Sequence, residues 1–114
     1  MIIEQQAIIV HTRSTFLQGL LLMDQNSRPI YFHKWNKLFS LYDSWLEKNS
    51  CTSQSVCLNF SLSQNIIDKV VVGIDCLSQL NELIQISHEH ETISFPRLSS
   101  HDCQLINPSF WPTF

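Results

Sequence analysis

Residues 69–83 constrain the fold of this chain more than any other stretch. They read Lys69-Val-Val-Val-Gly-Ile-Asp-Cys-Leu-Ser-Gln-Leu-Asn-Glu-Leu83. Val70, Val71 and Val72 are β-branched with no polar alternation, the pattern of a strand buried on both faces, as in a parallel sheet. Gly73 ends the run. Leu77, Leu80, Leu83 and Ile84 then recur at helical spacing, with Asp75 as the candidate N-cap. A strand, a glycine turn and a helix start are therefore predicted. Helix-start amides attract anions, and ligands of α/β sheets sit at the carboxyl ends of strands. The same pattern is also how α/β proteins without a ligand are built, so the stretch alone does not decide function.

A second β-branched run, Ala7-Ile-Ile-Val10, is read as another buried strand ending near His11. It is followed by a loop over 11–19 and a turn cluster over 24–29. Residues 30–36 form an aromatic connection carrying Tyr31, Phe32 and Trp35. Leu38, Leu41, Tyr42, Trp45 and Leu46 mark an amphipathic helix ending near Lys48. A second helix, capped by Ser50, Thr52 or Ser53, runs to about Ser63 with apolar residues nearly all round. A third helix spans 76–87. Residues 88–114, with three prolines and no period, are expected to be an irregular tail. The order is strand, helices, strand, helix, a βαβα unit in which parallel pairing implies a right-handed crossover. Two strands are too few for a stable sheet by themselves.

A length of 114 residues suggests one domain, and a charged fraction of only 15% fits extensive burial or a fragment whose partner covers one side. A net charge of −3 argues against nucleic acid or an anionic membrane as partner. Cys51, Cys57, Cys76 and Cys103 have neither zinc spacing nor a C-x-x-C pair, and the start of the chain carries no secretion signal. Reduced thiols and a cytoplasmic location are expected. The run at 16–23 is too short to span a bilayer. His88-Glu-His-Glu91 does not place its histidines on one helix face, so no metal site is assigned. Ser14 lacks the nucleophile-elbow glycines of a hydrolase. His11 reads equally well as a rim histidine and as a ligand contact.

With both strands placed, the chain from about Ala7 to Ile86 resembles the C-terminal portion of the aldo/keto reductases, NAD(P)H-dependent (β/α)8-barrel enzymes. His11-Thr-Arg-Ser-Thr-Phe-Leu-Gln-Gly-Leu-Leu-Leu22 is similar to the loop after that family's seventh strand. Cys57-Leu-Asn-Phe-Ser-Leu-Ser-Gln64 resembles the helix before its last strand. Val70-Val-Val-Gly-Ile-Asp75 with Gln79-Leu-Asn-Glu82 resembles the eighth strand and its cofactor loop. Leu105-Ile-Asn-Pro-Ser-Phe-Trp111 is similar to the end of a bacterial sugar- and polysaccharide-linked branch.

The resemblance implies an α/β fold: a partial (β/α)8 (TIM) barrel holding the last two βα units plus the tail, a single partial domain over 1–114. It implies a dinucleotide cofactor. Ser14, Thr15, Phe16 and Gln18 would line the pyrophosphate, Arg13 would stack on the nicotinamide, Gly73, Ile74 and Asp75 would border the adenosine ribose, and Gln79 and Glu82 would meet the adenine end. A 2′-phosphate needs a cation or several donors. Gly73, Asp75, Cys76 and Gln79 offer none, so NAD is favoured over NADP, and Leu83 replaces an Asn usual at the adenine. The family's catalytic Tyr, Lys, Asp and His belong to the half of the barrel that nothing here matches. No catalytic residue is assigned, and the chain alone is expected to be inactive. Partners would be the dinucleotide and either a missing N-terminal segment or a second copy. The alternative is a truncated, non-catalytic product or an interaction module pairing through open sheet edges.

Overall fold

The computed structural model describes residues 8–89 and 93–113. About half of these residues are helical. Strand β1 is His11–Thr12 and strand β2 is Lys69–Val70. The helices are α1 (Asn36–Lys48), α2 (Ser53–Leu62), α3 (Leu77–His88) and the single turn α4 (Cys103–Ile106). Short 3-10 turns occupy Leu20–Leu22, Ile30–Trp35 and Pro108–Phe110. The chain divides into two compact units. One gathers the described residues among Met1–Thr15 and Gln54–Ile93, the other Phe16–Ser53 with Ser94–Phe114.

In the first unit β1 and β2 pair in parallel, with His11 opposite Lys69 and Thr12 opposite Val70. The pair is clasped at its start. Asp68 N donates to Val10 O at 2.8 Å, while the Asp68 carboxylate accepts from Val10 N at 2.7 Å. One step beyond Val70, Val71 N donates to Thr12 O at 2.8 Å.

This pair is the whole sheet among the described residues, and it overturns the expected partial barrel. A barrel wall needs tilted strands with neighbours on both sides. Here each strand is two residues long and has one neighbour. Neither β-branched run is buried on both faces. Ile8, Ile9 and Val71 are 50%, 71% and 52% exposed. The ladder also lies past the first run, whose Ala7 is outside the described residues. β-Branched composition signals a preference for burial, which only a wider sheet would satisfy.

Helix α2 matches its expected span. Val56, Cys57, Leu58 and Asn59 are consecutive and all buried, so this stretch is covered around its circumference, although Phe60 and Leu62 at its end are exposed. Helix α3 ends at His88, and the expected polar extension at His90 and Glu91 lies outside the described residues.

The second unit has a defined core of Leu20, Phe32, Phe39 and Leu105, flanked by Tyr31, Trp35, Leu38 and Trp111. Phe32 sits edge-on to both Tyr31 and Trp111, with ring centroids 5.0 and 4.8 Å away. Such pairs add roughly 0.5–1.5 kcal/mol beyond area burial. Helix α1 runs where its spacing predicts, but Phe39, outside the expected stripe, is its buried residue and Leu41 is 54% exposed.

Arg28 explains that rotation. Its guanidinium is buried, lies 4.5 Å from the Phe39 ring centre, and forms a two-pronged pair with Asp43 at 2.6 and 2.8 Å. It also donates to Met23 O at 3.0 Å. Phe39 and Asp43 are one helical turn apart, so a single cation orients that face of α1.

The segment expected to be an irregular tail folds into this unit. Asp102 caps α4 by accepting from Gln104 N, and its other oxygen accepts from Trp35 Nε1 at 3.2 Å. Trp111 Nε1 donates to Leu105 O at 3.0 Å. Four residues without repetition cannot display a helical period, which is why the sequence pattern did not reveal α4.

Candidate functional site

A parallel pair sends both chains out at the same edge. Arg13, Ser14 and Thr15 follow β1, and Gly73, Ile74 and Asp75 follow β2 a few residues later, so the two loops leave the carboxyl end of one strand pair. That edge is where ligands of parallel α/β sheets bind.

The first loop is conformationally unusual. Ser14 has φ 58°, and Leu17, Gln18 and Gly19 follow at 51°, 57° and 82°. Only glycine takes such values freely, so the other three carry roughly 1 kcal/mol or more of local strain each. Leu17 is held by packing against the second unit's core. Arg13 and Ser14 are exposed. The Thr15 hydroxyl oxygen is buried and has no hydrogen-bond partner among the described residues. A buried hydroxyl with spare capacity is uncommon.

Gly73 departs from expectation. Its φ lies outside the left-handed region, and a Cβ built there meets nothing within 4 Å. It leaves open space beside β2 without enforcing a tight turn. Asp75 is not the helix cap either. Cys76 occupies that position, with extended φ and ψ of −151° and 164° and no side-chain cap hydrogen bond. Asp75 N instead donates to Gln79 Oε1 at 2.7 Å. Gln79, three residues into the helix, reaches back as the glutamine of a capping box does, displaced outward by one residue. Asp75 stays exposed, so the second loop presents a carboxylate and no cation, and Glu82, also exposed, lies within α3.

The structure thus brings Arg13, Ser14 and Thr15 into one unit with Gly73, Ile74, Asp75, Gln79 and Glu82, while Phe16 and Gln18 belong to the other unit. Of the first group, Gln79 already spends its carbonyl on the turn.

Cys76 was not singled out by the sequence reading. The Ser78 hydroxyl, 3.1 Å from its sulfur, lowers its pKa below the ordinary 9.0, with the helix-start amides of Gln79 and Ser78 adding to the effect and Asp75 opposing it. Cysteine is not among the usual cap residues, so only the glutamine three positions on hinted at a helix start here.

Both tyrosines have structural partners. Tyr31 OH donates to Gln104 O at 2.7 Å, and Tyr42 OH lies 2.5 Å from Ser53 Oγ, which donates to Leu21 O. Among the described residues no group of three or more His, Cys, Asp or Glu side chains could hold a metal ion, and no helix is long and apolar enough to cross a membrane. Compared with known proteins, the chain matches no family model, no curated protein and no solved structure.

Proposed function

We propose that this chain is a dinucleotide-binding segment of an NAD(P)H-dependent oxidoreductase of the aldo/keto reductase kind, supplying cofactor loops and no catalytic residues. One observation carries the reading: the loops at 13–15 and 73–75 emerge from the same edge of a parallel strand pair, in the chain order the resemblance requires. The unpartnered Thr15 hydroxyl and exposed Ser14 suit a phosphate-lining loop, and the open space beside Gly73 suits close approach of a ribose. The cofactor when bound would supply the hydride, and these residues would only bind and orient it.

The carboxylate of Asp75 favours NAD over NADP, because a 2′-phosphate beside it would meet like charge. Neither tyrosine is a candidate proton donor, since both hydroxyls are committed within the second unit. A cytoplasmic setting belongs to the same reading, and four free thiols suit a reducing compartment.

The test is titration of the purified chain with NADH and NADPH, followed by cofactor fluorescence. Saturable binding with NADH preferred is expected. Asp75→Lys should shift the preference toward NADPH by about tenfold, the equivalent of one added charge-assisted contact. Absence of saturable binding to either cofactor overturns the proposal.

A further inference from the structure

We draw no further inference here: the strongest candidate, the exposed Cys76 thiol at the start of α3 with the Ser78 hydroxyl 3.1 Å from its sulfur, is a lone cysteine at a helix N-terminus, and no second observation among the described residues points to a ligand there.

Discussion

Two residues show how local chemistry is set by neighbours that sequence spacing does not reveal. Arg28 sits in a turn cluster, and nothing marks it as the partner of Asp43 fifteen positions on. In the folded chain its side chain is 4% exposed and that of Asp43 36%. The two ends of the pair are therefore unequal. Removing Arg28 leaves a carboxylate that can rehydrate. Removing Asp43 leaves a buried guanidinium whose Nε already lacks a partner among the described residues. Breaking such pairs costs a few kcal/mol, less where the survivor reaches water. Arg28→Met should cost about 2 kcal/mol and Asp43→Ala about 3 kcal/mol by urea unfolding. The reverse order would contradict the burial asymmetry. Cys76 gives the corresponding pH prediction. A thiol with a lowered folded pKa contributes stability that is present above its ordinary 9.0 and lost as pH falls through the folded value. Alkylation of Cys76 by iodoacetamide, followed by peptide mass spectrometry, should therefore rise at lower pH than alkylation of a small free thiol. Ser78→Ala should move the profile upward, and an unchanged profile would remove Ser78 as the cause.

The elements separate what periodicity encodes from what it does not. Helices α1 and α3 were legible because their apolar residues recur over three turns or so, α2 from its cap candidates and a continuous apolar run, and each lies within a few residues of its expected span. The strands were legible only as places where β-branched residues gather. Their length depends on neighbours, and with one neighbour each the ladders stop after two residues. What anchors them is a side chain: Asp68 closes the register by accepting from Val10 N. Asp68→Ala should leave the helices intact, as seen by far-UV circular dichroism. It should speed hydrogen exchange at Val10 roughly fivefold or more, the equivalent of about 1 kcal/mol of local stability. Unchanged protection at Val10 would show that the backbone bonds hold the pair without the carboxylate. The backbone around the candidate site was legible in part. Loop order and strand direction follow from the pattern. The placement of the cap at Cys76, the engagement of Gln79 and the open surroundings of Gly73 depend on one-residue details of the turn that composition does not carry.

For the whole molecule, the two units differ in how completely they account for their apolar residues. Phe16–Ser53 with Ser94–Phe114 holds an aromatic core in which Phe32 is 2% exposed and Leu105 4%. The strand-bearing unit instead leaves Ile8, Ile9, Val71, Ile74, Leu77 and Ile84 exposed, and its sheet has two strands among the described residues. Strand edges and an exposed helical stripe are the surfaces proteins ordinarily cover. Parallel pairing of β1 with β2 sends the loops at 13–15 and 73–75 out at one edge, and it is there that the proposed function puts a dinucleotide. The direct measurement is a fluorescence titration of the purified chain with NADH and NADPH, repeated on Asp75→Lys. The account predicts saturable binding that favours NADH in the wild type and shifts about tenfold toward NADPH in the variant. No saturable signal with either cofactor, or a preference indifferent to residue 75, would contradict it.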